Sequence, residues 1–409
     1  MDHTETLLAL GQASIDEAGE IMDQFIRGMT RQAVLDVMAE EVGQLCGTRY
    51  RHGIGRAYQR GGSAAGAIYA GAEKMPVERP RVRRQTASGA YKEVPLASYQ
   101  AARAGRELKA AILRALECGV SARKQSRLYP DADRCSRSEI SRQWEAAGRR
   151  RIDELRSREL EASGYVVLML DGVVLCKGLC AIVALGITTD GRKQMLDFEI
   201  GASESSEVCK ALCERLTDRG FKPAAKRLLL VLDGSDALRN AATATWKGCC
   251  IQRCLVHLER NVRGRLAHRW HGELAAHFKT LREAGSYEAA NEAYDTLMTF
   301  AAKHTHAGLA SLEAAREDAL CLMRLGAGDT FSRTLLSTNA IENTIRNMRS
   351  LIARPARWRP ETDMPDRWLA AAMLGAEYGF HRIRGYKQLG TLIKQLDQEE
   401  IGERGPHQF

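Results

Sequence analysis

Apolar residues recur at helical spacing through the first 48 residues, as in Ile21, Phe25, Ile26 and Met29 and then Val34, Val37, Met38 and Val42, which predicts helices there. From Arg51 to Arg84 the chain turns Gly-rich and then alternates, with Ala67-Ile68-Tyr69-Ala70 and Met75-Pro76-Val77 around Gly71. That pattern predicts a small two-stranded ribbon, which needs helices or a ligand to pack on because two strands alone are unstable. Residues 104 to 146 read as helix, turn, helix, helix. Leu108, Ile112, Leu113 and Leu116 form the first stripe, Gly119-Val120-Ser121 is a stop followed by an N-cap serine, and Ser136 or Ser138 caps the helix carrying Ile140 and Trp144.

The period changes at residue 164. Tyr165 to Leu170, Val173 to Ile187 and Gln194 to Ile200 predict three strands, with Thr188-Thr189-Asp190-Gly191 as the second turn. A helix from about Ser205 to Arg219, capped by Ser203 or Ser205, precedes the apolar strand Arg227 to Leu232. A helix from Ser235 to Trp246 and a short strand at Cys249 to Arg253 follow. Three antiparallel strands, a helix, a parallel strand, a helix and a fifth strand is the order of an RNase H-like fold. Beyond His257 only helical stripes appear, through Leu266, Leu274, Phe278, Leu281, Tyr294, Leu297 and Phe300. Helix resumes at Ala340 to Leu351 and from Pro365 through Tyr378.

The expected architecture is α+β: an RNase H-like catalytic core interrupted by an all-helical insertion, preceded by a mainly helical DNA-binding region with a helix-turn-helix. Its segments are 1–100 (helical with the ribbon), 101–160 (helix-turn-helix), 161–257 (first part of the core), 258–335 (insertion) and 336–409 (last part of the core).

A 409-residue chain with 44% hydrophobic residues buries a substantial core, so the protein is globular. A net charge of +9 favours a polyanionic partner, since each Lys or Arg placed on a phosphate releases counterions. Eleven cysteines are an odd number in a long chain that opens without a charged-then-apolar signal, which predicts reduced thiols in the cytoplasm. No membrane span is expected, because the longest apolar run, Leu175 to Ile187, carries Lys177 and two glycines. Zinc is disfavoured: Cys176 and Cys180 lie four apart on a predicted strand, ~13 Å by strand rise. Cys209 and Cys213 share a helix face and read as small core residues.

Two apolar runs each end on an aspartate, Val166 to Leu170 before Asp171 and Leu228 to Leu232 before Asp233. Glu342 follows within Ser337-Thr338-Asn339-Ala340-Ile341-Glu342-Asn343. A lone strand-end aspartate is as readily a turn former or a helix cap. Two of them in this strand order, with a helix glutamate, predict a site for two Mg²⁺ ions ~4 Å apart, with Mn²⁺ as a substitute. Asp171 would bridge the ions, with Asp233 and Glu342 on either side. Asp236 competes with Asp233, and Glu361 and Glu377 compete with Glu342. Asp236 falls in the first turn of a helix, where an acid complements the dipole, and neither glutamate has the small polar approach of Ser337 to Asn339, which can cap its helix. Candidate DNA contacts are Arg81, Arg83 and Arg84 on the ribbon; Ser121, Arg123, Lys124, Ser136, Arg137, Ser138 and Arg142 on the helix-turn-helix; and Asn339, Arg346, Arg349 and Trp368 near the third acid. Trp368 can stack on a base near a cut site or sit in the core beside Leu369.

Cys254-Leu255-Val256-His257, followed by Glu259-Arg260-Asn261-Val262, resembles the Cys-x-x-His then Arg-Asn signature of Mutator-like transposases and their bacterial insertion-sequence relatives. Ser337 to Asn343 resembles their Thr-Asn-x-Ile-Glu segment, Asp233 to Leu238 their second-aspartate motif, and Arg367-Trp368 through Glu377 and Gly385-Tyr386 their C-terminal pattern. The resemblance implies a DDE transposase that binds the terminal inverted repeats of its element, cuts a strand and joins the 3′-hydroxyl to target DNA, as a homodimer or higher oligomer. It assigns Asp171, Asp233 and Glu342 to catalysis and metal binding, and Cys254 and His257 to a structural role beside them. Asn343 stands where many relatives carry Ser and Leu258 where a basic residue is frequent, and neither change removes a metal ligand. Two other functions are compatible with the same residues: a non-catalytic DNA-binding regulator, and a nuclease that cuts without joining.

Overall fold

The computed structural model describes residues 3–10, 13–48, 57–71, 73–118, 120–129, 136–161, 164–327, 331, 334–355 and 357–398. The chain forms two units, Met1–Trp144 and Glu145–Phe409.

In the first unit the early helical spacing yields α1 (His3–Leu10) and the long α2 (Ile15–Cys46). The alternating stretch forms β1 (Tyr58–Ala70) and β2 (Glu73–Gln85), paired antiparallel, and β3 (Tyr91–Val94) adds to β2. The ribbon is thus a three-stranded sheet rather than the two strands expected; the Gly-rich residues 51–56 lie outside the described residues. The third strand escapes the sequence pattern because only four residues pair, closed by a turn in which Thr86 N donates to Ala90 O (2.7 Å). Met38, Val42 and Cys46 of α2 pack on Ile68, Met75, Val77 and Val82 of the sheet. That burial stabilises a sheet too small to stand alone. Glu41 of α2 accepts from Ala97 N (2.7 Å) and Ser98 N (2.9 Å), so an acid from another helix satisfies the open amides at the start of α3 (Ala97–Arg103).

The predicted helical series is present as α4 (Arg106–Glu117), α5 (Ala122–Leu128) and α6 (Arg137–Arg156). Leu108 and Ile112 of α4 meet Ile140 of α6, and buried Gln125 donates to Ile112 O (3.0 Å). Ser121 occupies the N-cap of α5 without a side-chain cap bond, while Ser136 Oγ accepts from Glu139 N (3.3 Å) at the start of α6. Gly119, the expected stop, lies outside the described residues.

The second unit is built on a sheet ordered β6-β5-β4-β7-β8. Strands β4 (Tyr165–Cys176), β5 (Leu179–Thr188) and β6 (Lys193–Gly201) are antiparallel, and β7 (Leu229–Leu232) and β8 (Cys250–Arg253) run parallel to β4. Two expectations change here. Strand β4 does not end before Asp171 but continues to Cys176, so Asp171 sits within it, paired with Val183. Cys176 and Cys180 are not on one strand, since the chain reverses at Lys177-Gly178 between them, with Gly178 at φ 73°. A turn of only two residues inside a nearly continuous apolar run leaves little trace in the hydropathy.

One face of this sheet packs on α7 (Ser206–Asp218) and α8 (Asp236–Thr245), joining Leu168, Leu170, Ile182 and Leu230 to Cys209, Leu212, Cys213 and Leu238. Alternation turns Val167, Met169 and Asp171 to the opposite face, where α14 (Asn339–Ile352) packs on β4 and α15 (Met364–Glu377) on β6. From β8 the chain enters α9 (Leu255–Arg263), α10 (His271–Arg282), α11 (Tyr287–His304), α12 (His306–Ala319) and the short α13 (Cys321–Arg324), as the expected all-helical segment; α16 (Leu389–Gln398) follows α15. Fully buried Gln252 bolts these helices to β8, donating to Ala319 O (3.0 Å) and accepting from Leu322 N (2.8 Å). Asp197 of β6, with no exposed surface, accepts from Arg215 Nε and Arg219 Nη1, both at 2.9 Å, with Arg156 at 3.6 Å. This cluster ties α6, β6 and α7 together. Glu377, one rival for the third acid, is committed elsewhere: it takes both terminal nitrogens of Arg158 at 2.8 Å and accepts from Met195 N (2.7 Å). Glu361, the other, is exposed.

Candidate active site

Asp171 is 9% exposed, and its Oδ1 accepts from Gly172 N (2.9 Å). Burial, then the charge of Asp233, pushes its carboxyl up to about 7, against the pull of the Gly172 amide and of His257. Asp233 directly follows β7, as expected, and accepts from Ser235 N (2.9 Å) in an Asx-type turn. Ser235 then caps α8, accepting from Leu238 N (3.4 Å), and leaves Asp236 in the first helical turn.

Gly234, between them, has φ 103°, a region that favours glycine, and the Arg253 guanidinium fills the space above it. A Cβ at this position would lie 1.0 Å from Arg253 Nη1. Gly234→Ala is therefore expected to displace both the Asp233 turn and Arg253 and to destabilise the unit by roughly 2–3 kcal/mol, combining left-handed strain with overpacking. A denaturant titration reading less than ~0.5 kcal/mol of loss contradicts this account of the turn.

Glu342 lies in the first turn of α14, half-buried, on a helix that also turns Ile341, Thr344 and Ile345 inward. Within the expected capping segment, Ser337 Oγ accepts from Asn339 N (3.4 Å), while Thr338 stands at the N-cap without a cap bond of its own. Instead Thr338 Oγ1 lies 2.7 Å from Glu342 Oε1, 3.2 Å from His257 Nδ1 and 3.3 Å from Cys254 Sγ. A hydroxyl has one proton, and the nearest and strongest acceptor is the carboxylate, so Thr338 donates to Glu342 and accepts from the His257 ring. Cys254 is the N-cap of α9. Its sulfur accepts from Thr338 N (3.2 Å) and His257 N (3.5 Å). Burial pushes this thiol up, but the hydrogen bonds from His257 and Thr338 outweigh it and the net displacement is downward. The bond to Cys254 raises His257, with burial opposing. Arg260 Nη1 and His257 Nδ1 stand 3.5 Å and 3.8 Å from the Glu342 oxygens.

Asp171 thus lies within electrostatic reach of Asp233, His257 and Glu342. Donor atoms of Cys254, His257 and Glu342 lie within 4.8 Å of one another. The sulfur in that set already receives two amide protons and the imidazole already faces Thr338, so these two residues act on Glu342 through Thr338, whose hydroxyl makes the hydrogen bond to the carboxylate. The carboxylates of Asp171, Asp233 and Glu342 are a hard, oxygen-only donor set that suits Mg²⁺ or Mn²⁺. Two residues near this site were not singled out in the sequence: Glu204, an exposed residue whose carboxyl is raised by desolvation and then by Asp233, and Arg253 against the Asp233 turn; Arg260 and Thr338 lie within the family-like motifs, but their contacts with Glu342 were not expected. Position was the available clue for Glu204, an acid just beyond a strand end, and for Arg253, which immediately precedes the Cys-x-x-His run.

The basic candidates are spread over several elements. On the ribbon, Arg83 and Arg84 are exposed, whereas Arg81 donates to Glu93 through Nε (2.8 Å). In α5 and α6, Ser121, Arg123, Lys124, Ser136, Arg137 and Ser138 are exposed, and Arg142 pairs with Glu139 (2.9 Å). On α14, Asn339, Arg346 and Arg349 are exposed, with Arg346 donating to Asn343 Oδ1 (2.6 Å); Trp368 is half-buried on α15. No helix among the described residues is long and apolar enough to cross a membrane.

The chain is similar to several transposases. It is 26% identical over 293 residues to the transposase for insertion sequence element IS905 of Lactococcus lactis, covering 68% of this chain and 71% of that protein. It is 26% identical over 272 residues to the transposase for insertion sequence element IS1081 of Mycobacterium tuberculosis, covering 63% and 61%. The transposase for insertion sequence element IS256 in transposon Tn4001 of Staphylococcus aureus is 29% identical over 191 residues, covering 44% and 46%. A family model described as "Transposase, Mutator family" matches residues 1–376, and the chain belongs to that family.

Proposed function

We propose that this chain is a DNA transposase that binds the terminal inverted repeats of a mobile element, cuts a DNA strand at the element end and transfers the 3′-hydroxyl to target DNA. The observation that carries the proposal is that Asp171 on β4 feels the charges of Asp233, at the end of β7, and of Glu342, on α14, in a chain of this family. The order of strands and helices in the second unit supports an RNase H-like core, and α4 to α6 support a helix-turn-helix.

The three carboxylates would hold two divalent cations, which when bound neutralise charge on the attacking and leaving oxygens of the phosphodiester. The rest falls to the chain itself. Asp171, fixed by the Gly172 amide, and Asp233, fixed by the Ser235 amide, keep their carboxylates oriented before substrate arrives. Thr338 and His257 hold Glu342, and Arg260 stands ready to compensate charge on a neighbouring phosphate. The exposed basic residues of the ribbon, the helix-turn-helix and α14 supply backbone contacts along the DNA. Handling two element ends together requires a dimer or larger assembly.

The test is incubation of the purified protein with Mg²⁺ and linear DNA carrying an element end. The expected outcome is both cleavage and strand-transfer product from the natural chain, and neither from Glu342→Gln, with DNA binding retained. Cleavage without joining, even from a pre-cut end, points instead to a nuclease. Binding without either product points to a regulator.

A further inference from the structure

The carboxylate of Glu204 occupies the space that a side chain at position 172 would need: a Cβ on Gly172 would lie 1.6 Å from Glu204 Oε1 and 2.5 Å from its Cδ. Gly172 directly follows Asp171 and donates its amide to Asp171 Oδ1 (2.9 Å). A single glycine therefore touches both acids, its amide held by one and its Cα covered by the other. Alternation along β4 puts Asp171 on the α14 face and position 172 on the α7 face, which is where Glu204, just ahead of the Ser205 cap of α7, approaches.

Strand β7 stops at Leu232, paired with Leu170. Past that pair the edge of β4 is open, and Asp233 leaves the end of β7 beside it. Acids from the two faces of β4 and from the neighbouring strand end can thus reach one gap in the sheet. Glu204 is otherwise an exposed residue. Acids brought together in this way repel one another unless a cation stands between them.

We propose that Glu204 is a fourth acid of the candidate active site, supplying an oxygen ligand to a divalent cation on the α7 side of β4. The inference rests on the reading of Asp171, Asp233 and Glu342 as a cation site. Its test needs no DNA: Mn²⁺ binding to the full chain, followed by electron paramagnetic resonance of the free ion, together with the melting temperature in the presence and absence of Mn²⁺. Glu204→Gln is expected to weaken Mn²⁺ binding at least about tenfold and to shrink the Mn²⁺-induced rise in melting temperature, with metal-free stability equal to or above that of the natural chain. Gly172→Ala, whose methyl evicts the Glu204 carboxylate, is expected to reproduce the loss, and the double variant to add nothing to it. Unchanged Mn²⁺ affinity in Glu204→Gln, alongside weakened binding in Asp171→Asn, overturns the role of Glu204 and leaves the three-acid reading standing. Mn²⁺ binding that is absent from the natural chain, or indifferent to both variants, overturns the two together.

Discussion

Asp171→Asn is expected to lower Mg²⁺-dependent strand cleavage at least about a thousandfold while making the metal-free protein more stable at pH 8. The loss follows from removing the acid that both cations would share, which at roughly 4 kcal/mol of transition-state stabilisation is three powers of ten in rate. The gain has a different origin. Burial and Asp233 push the Asp171 carboxyl up to about 7 in the folded protein, against about 3.9 in an unfolded chain. Between those values the folded state binds the extra proton, so metal-free stability falls as pH rises from about 4 to 7 and stays low above it. Asparagine keeps the acceptor for the Gly172 amide and carries no charge to lose. The variant should therefore match the natural chain near pH 4 and exceed it at pH 8 by on the order of 3 kcal/mol, or ~5–10 °C in melting temperature. Thermal melts in a chelator at the two pH values check this, and a variant less stable than the natural chain at pH 8 contradicts the burial account of Asp171.

Asp197→Asn is expected to be the most damaging single change to the fold of the second unit. Asp197 is fully buried and is the common partner of Arg156, Arg215 and Arg219, while Arg219 also donates to Leu155 O (2.8 Å) and Leu196 O (2.8 Å). Asparagine leaves those guanidiniums with too little negative charge in a poorly solvated place, and breaking a buried pair by removing one partner costs roughly 3–5 kcal/mol. Arg215 retains Glu199, which tempers the loss. A fall of ~10 °C in melting temperature is expected, with the loss shared by every probe of the sheet. A change under ~1 kcal/mol by denaturant titration shows instead that the arginines find water or Glu199 without strain. Because this cluster bonds β6 to α6 and α7 and, among the described residues, forms no hydrogen bond or ion pair with Asp171, Asp233 or Glu342, its cost is read in stability and not in metal affinity.

Much of the architecture was legible from hydropathy alone because the signals were long and local. The helices α2, α4, α6 and α7 carry stripes of several turns, and the apolar runs of the second unit foretold its five strands, which the sheet then orders β6-β5-β4-β7-β8. Legibility failed where the signal was short or had no pattern. Strand β3 has four residues, and the turn at Lys177-Gly178 hides in an apolar stretch, which moved Asp171 from a strand end to a strand interior and parted Cys176 from Cys180. Thr338 was readable as a cap by its position and residue type. Its hydroxyl donates to Glu342, a strong acceptor 2.7 Å away, whereas a capping role would have used its oxygen to accept a backbone N–H.

The sequence by itself determined which segments fold as helix or strand and which acids end apolar runs, because propensity, period and capping act over a few neighbouring residues. It also marked the family, through motifs whose residues lie close together in the chain. Only the tertiary structure decided what surrounds each acid. Glu377 and Glu342 look alike as helical glutamates, but one is clamped by Arg158 and the Met195 amide and the other stands beside His257 and Thr338. Glu204 is an exposed residue ahead of a cap, and only the fold lays its carboxylate over Gly172. Partners separated by scores of residues meet through sheet register and helix packing, and charge acts through space at the distances those contacts set, for which no local pattern in the chain encodes the answer.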